Sequence, residues 1–109
     1  MNLFKTPAAK ALLAAYDARS AYLRVTVEPT PGNVRKLRSS IRKASRAAAR
    51  LTGPDARGLR NNLMTAETDA AGAAAFWGVA PLADECLASV GRCTANALEF
   101  AYRIPGACG

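Results

Sequence analysis

A chain of 109 residues, half of them apolar, suffices for one domain around one core, and 15 basic against 8 acidic side chains give a net charge of +7 that points to anionic partners. Twenty-five alanines against two isoleucines and five valines favour packed helices over sheet and leave little side-chain volume for that core. The absence of histidine removes the usual general base near neutral pH and the commonest transition-metal ligand, and the longest uncharged stretch, residues 70–83, is broken by Gly72, Gly78 and Pro81 and is too short to cross a bilayer.

The first predicted helix covers residues 7–25. Thr6 suits the cap and Pro7 the first turn. Leu12, Leu13, Tyr16 and Leu23 gather on one side, which predicts an apolar inner face opposite Lys10, Asp17 and Arg24. Lys5, Lys10, Arg19 and Arg24 against Asp17 form a bias shared by organelle transit peptides and ordinary helices; the start at Met1 favours an ordinary first helix. Pro29, Pro31 and Gly32 then stop the helix, so residues 26–32 are expected to form the longest connection.

A second helix is predicted over residues 33–51, capped by Asn33, with Val34, Leu37, Ile41, Ala44, Ala48 and Leu51 as its buried seam. Gly53, Pro54 and Asp55 form a stop and restart. The third helix, residues 55–77, carries a seam of Leu59, Leu63, Ala66, Ala70, Ala73 and Trp77, whose small middle implies close interhelical approach. After a turn at Gly78 to Pro81, the fourth helix, residues 81–103, presents Cys86, Val90, Cys93, Ala97 and Phe100 at the same alternating spacing, flanked by Leu87 and Ala101. Asp84 and Glu85 fall in its first turn, where acids complement the helix dipole.

Four helices of similar length with short connections predict an all-α, antiparallel up-down-up-down four-helix bundle, a single domain over residues 1–109. A three-helix core with a loosely attached first helix is the alternative.

Charge is unevenly distributed. Arg35, Lys36, Arg38, Arg42, Lys43, Arg46 and Arg50 all lie in the second predicted helix with no acid among them, and the remaining eight basic residues balance the eight acids. Arg38, Arg42, Arg46 and Arg50 recur every four residues, a spacing at which like charges cost an isolated helix about 0.2–0.5 kcal/mol per pair. Arginine's planar fork suits carboxylate and phosphate. The functional expectation is therefore a partner-binding face formed by Arg35, Arg38, Arg42, Lys43, Arg46 and Arg50, for which acidic protein, nucleic-acid phosphate and anionic lipid are all candidates; the bland alternative is a solvated helix face.

Cys86, Cys93 and Cys108 are too few and wrongly spaced for a zinc or iron–sulfur site, and no metal or cofactor is expected. Cys86 and Cys93 stand two turns apart on one helix, about 10 Å along its axis, too far to bond to each other. They read as small core residues, while a tail that folds back leaves pairing of Cys108 with Cys93 or Cys86 open.

The stretch Ala18-Arg19-Ser20-Ala21-Tyr22-Leu23-Arg24 resembles part of the Q-type extrinsic subunits of photosystem II, where arginine and small residues precede Tyr-Leu-Arg. The order of a Pro-containing connection, a basic amphipathic helix and a further helix is similar too. Val25 and Thr26 stand where that family has Asp-Leu, and the fourth helix with its cysteines has no counterpart. The resemblance implies a basic four-helix bundle of the thylakoid lumen that docks electrostatically without catalysis, with Tyr22 and Arg24 as the matching positions. Together these features lead to the expectation of a non-enzymatic accessory or scaffold subunit docking onto a larger protein complex through its basic helix, with a non-specific nucleic-acid-binding module as the alternative.

Overall fold

Three of the four helices begin on a proline, whose fixed φ and missing N–H suit the first turn. In the computed structural model, which describes residues 6–108, these are α1 (Pro7–Val27), α2 (Pro31–Ala48) and α3 (Pro54–Ala75), followed by α4 (Leu82–Arg103). The described residues contain no strand. Lys5 of the basic N-terminal stretch lies outside them.

Capping fixes the helix starts. Thr6 Oγ1 accepts the Ala9 N–H at 3.1 Å, as the sequence predicts. The cap of α2 is Thr30, whose Oγ1 accepts the Asn33 N–H at 3.1 Å, and not Asn33. Asn33 sits inside the first turn, buried, with Nδ2 donating to the Glu28 carbonyl at 2.8 Å. Because Thr30 caps a helix that starts on Pro31, α1 and α2 are separated by only residues 28–30. The longest connection is instead residues 76–81, between α3 and α4.

The helix ends differ from expectation for equally local reasons. Arg60 reaches from α3 to the C-terminal carbonyls beyond α2, donating Nη1 to Leu51 O and, at 3.5 Å, to Ala48 O. This places a cation where the helix dipole is negative, and α2 stops at Ala48. Arg50 and Leu51 therefore lie past the helix. Gly53, at φ 104°, makes the reversal into α3, and Gly78, at φ 84°, lies in the turn after it, leaving Trp77 half-buried beyond the helical residues.

Each helix packs against two others, α1 and α3 both meeting α2 and α4, to give a four-helix bundle 46 × 24 × 17 Å. The first helix is thus a full member, not the loose attachment of the three-helix alternative. Leu37, Ile41, Leu59 and Leu63 are fully buried on α2 and α3, and most of the remaining core is alanine.

Two inner faces are rotated from the expected ones. On α1 the alanines turn inward: Ala8, Ala11, Ala15 and Ala18 are buried with Val25. Leu13 (45% exposed), Tyr16 (54%) and Leu23 (47%) face out. The bulk comes from the neighbouring helices, and an alanine face lets α1 approach them closely. On α4 the buried line is Ala83, Val90, Thr94, Ala97 and Ala101, while Cys86, Cys93 and Phe100 are half-buried. Thr94 tolerates burial because its hydroxyl donates to the Val90 carbonyl at 2.9 Å.

Large side chains seat on glycines between helices. A Cβ at Gly58 would stand 2.5 Å from the Phe100 ring, one at Gly72 2.9 Å from Cys86 Sγ, and one at Gly91 2.5 Å from Tyr22 Oη.

Candidate docking surface

Helical spacing places Arg35, Arg38, Arg42 and Arg46 of α2 on one outward face, where with Ser39 they line an open groove of about 360 Å³. Val34, Leu37, Ile41 and Ala44 hold the opposite side of the same helix in the core, which fixes the orientation of the arginines. A single carboxylate tempers the groove: Glu67 of α3, whose Oε1 lies 3.3 Å from Arg42 Nε. This is the only ion pair among the described residues, and both side chains are well exposed, so it contributes little to stability.

Arg38 differs from its neighbours. It also lines an adjoining cavity of about 240 Å³ with Trp77, Ala74, Pro31 and Val34, and its Nε is buried with no hydrogen-bond partner. Leaving a polar group unpaired in this way costs about 1–3 kcal/mol.

The other residues of the expected face are placed elsewhere. Lys43 lies on the α1 side of α2, lining a cavity with Lys10, Leu13, Ala14, Asp17 and Ser40. Lys36 lies on that side too, near Arg24, Glu28 and Asn33. Arg50 is exposed past the helix end. The ladder of four therefore becomes Arg35, Arg38, Arg42 and Arg46, one step earlier than the spacing of Arg38 to Arg50 suggests. Ser39 and Glu67 were not legible as members: Ser39 carries no charge, and Glu67 arrives from another helix.

The cysteines are all free. Cys108 lies in a groove with Leu12, Leu13, Tyr16 and Tyr102, so neither Cys93 nor Cys86 pairs with it. The tail is held toward α1 by burial of Ile104 and Ala107 and by the Thr6 hydroxyl, which donates to Gly106 O at 3.3 Å. Cys86 instead faces α3 at Gly72. Among the described residues no group of three or more acidic or cysteine side chains is placed to hold a metal ion, and no helix is long and apolar enough to cross a membrane.

The chain matches no protein-family model, no curated protein and no solved structure. The segment that resembles the photosystem subunits has a local role in this fold. Arg19 Nη1 donates to Gly91 O at 2.8 Å and to Thr94 Oγ1 at 3.3 Å, with its guanidinium 5.1 Å from the Tyr22 ring centroid. Arg19 and Tyr22 thereby fasten α1 to α4, while Arg24 is exposed.

Proposed function

We propose that this chain is a non-enzymatic accessory subunit that docks onto an acidic surface of a larger protein assembly through the arginine groove of α2. The observation that carries this reading is the convergence of Arg35, Arg38, Arg42 and Arg46 on one open groove whose only carboxylate partner among the described residues is Glu67. Four guanidinium groups on one helix face repel one another, and the Arg38 Nε–H is unpaired in the isolated chain. Carboxylates of a partner would offset the repulsion and accept from guanidinium N–H groups in bidentate geometry.

The same reading takes the bundle as antiparallel, up-down-up-down. Its support is the order of side-chain meetings: Gly58 with Phe100 and Gly72 with Cys86 between α3 and α4, Arg19 with Thr94 and Tyr22 with Gly91 between α1 and α4. In both sets the residue number rises on one helix as it falls on the other. A photosynthetic setting in the thylakoid lumen rests on the resemblance of residues 18–24 alone.

The test is charge reversal. The tagged chain is bound to extract of its native source at low salt and eluted by a salt gradient, beside the variant Arg38→Glu/Arg42→Glu/Arg46→Glu. Bound proteins should leave the natural chain as salt rises and be absent from the variant. Equal retention by the variant at physiological salt would end the proposal. Salt-dependent binding of generic duplex DNA with no protein retained would move the groove to phosphate recognition instead.

A further inference from the structure

The outer face of α1 has no partner among the described residues, and it carries four of the exposed large apolar side chains, Leu13, Tyr16, Leu23 and Val27. Leu13, Tyr16, Ser20, Leu23 and Val27 follow one another at intervals of three, four, three and four, which aligns them along the helix. Leu13, Tyr16 and Leu23 are each about half exposed, and Val27 is 83% exposed. Beside Leu13 and Tyr16, the side chains of Leu12 and Tyr102 help line a groove of about 230 Å³.

We propose that this face pairs α1 with α1 of a second copy of the chain, the two helices running in opposite directions about a two-fold axis at Ser20. Ser20 is the midpoint of the row, with Leu13 seven residues before it and Val27 seven after. A two-fold axis there sets Val27 of each copy over the groove at Leu13 and Tyr16 of the other. The most protruding apolar side chain of the helix meets its apolar hollow, twice. Ser20 at the crossing is small enough for the helices to approach closely.

The charges on α1 obey the same symmetry. Asp17 and Arg24 lie along the α2 edge of the row, beside Lys43 and Lys36 respectively, and neither forms an ion pair among the described residues. They stand seven residues apart, about 10 Å, too far for pairing within one helix. Opposed about Ser20, Asp17 of one copy falls within one residue of Arg24 of the other, and Lys10 falls within two of Glu28. The two-fold axis brings the same edge of both helices together, so each opposite-charge meeting occurs twice. A parallel two-fold axis would instead bring opposite edges of the two helices together, and Asp17 of one copy would not face Arg24 of the other.

A contact along one helix of about 30 Å and its flanking groove is at the small end of specific interfaces, so dissociation is expected near 10 µM, to an order of magnitude. Sedimentation equilibrium of the full chain from about 1 to 300 µM should follow a monomer–dimer curve. Val27→Glu alters an exposed position that the core does not use, so its circular dichroism should be unchanged while dimerisation weakens by at least about tenfold. Asp17→Arg and Arg24→Asp should each weaken it by about three- to tenfold. The chain carrying both exchanges should recover the original curve, because both Asp17–Arg24 meetings are restored with their signs swapped while Lys10 and Glu28 are untouched.

A monomer throughout the range, a dimer indifferent to Val27→Glu, or a double exchange that fails to recover would each overturn the proposal. So would monomeric sedimentation accompanied by Val27-dependent binding to phosphatidylserine-containing vesicles, which would assign the face to a membrane surface.

Discussion

Gly91→Ala should destabilise the fold although it replaces a poor helix former with the best one. In an open helix interior the exchange gains about 1 kcal/mol. At this position the new Cβ would stand 2.5 Å from Tyr22 Oη, 2.6 Å from Cζ and 3.0 Å from Cε2. The phenol ring is rigid, and moving it disturbs the Arg19 guanidinium over its face and the bonds from Arg19 to Gly91 O and Thr94. Overpacking of this kind costs about 1–3 kcal/mol, and about 2 kcal/mol is expected at this site. The net expectation is a loss of about 1 kcal/mol, or a fall in Tm of about 4–6 °C for a chain of this size. In a Tyr22→Ala background the obstruction is gone, and the same Gly91→Ala exchange should raise stability by about 1 kcal/mol. Thermal and denaturant unfolding of the four chains, followed by circular dichroism, gives the cycle directly; the coupling should be about 2 kcal/mol. A Gly91→Ala chain more stable than the parent would show that Tyr22 is not seated on Gly91.

Thr30→Ala should lower the unfolding free energy by about 1 kcal/mol in denaturant melts, because it removes the hydroxyl that accepts the Asn33 N–H at the start of α2. Glu67→Gln should change stability by less than about 0.5 kcal/mol, since it removes an exposed ion pair. It should nevertheless delay elution from a cation-exchange resin, because it takes the only paired carboxylate from the arginine groove.

Much of the fold is legible in the sequence where large side chains define a seam. On α2 and α3 the aliphatic positions Leu37, Ile41, Leu59 and Leu63 are spaced for burial and are fully buried. On α1 the same reasoning selects Leu12, Leu13, Tyr16 and Leu23, of which only Leu12 packs against the core, and so points the helix the wrong way. Alanine is almost silent in a hydrophobicity pattern, so a face made of Ala8, Ala11, Ala15 and Ala18 is outweighed by the leucines opposite, although closeness of approach favours burying the alanines. On α4 the inner line includes Thr94, a polar residue that no apolar pattern would choose and whose hydroxyl is satisfied only once the helix forms. The basic face was legible as composition, since the helix has no acid, but its membership depended on where the helix ends. α2 ends at Ala48, where Arg60 of the next helix donates to the Ala48 and Leu51 carbonyls, and Arg50 therefore leaves the face.

The glycine seats decide something that the alanine seams leave open. An alanine surface looks much the same after a shift of one helical turn, so two such helices have several sliding registers of similar energy. Gly58, Gly72 and Gly91 break that degeneracy, because Phe100, Cys86 and Tyr22 each fit opposite a missing side chain and collide with a Cβ one turn away. Axial position along this bundle is therefore keyed at a few points, like pins in a lock, while the smooth stretches between them set only the distance between helices.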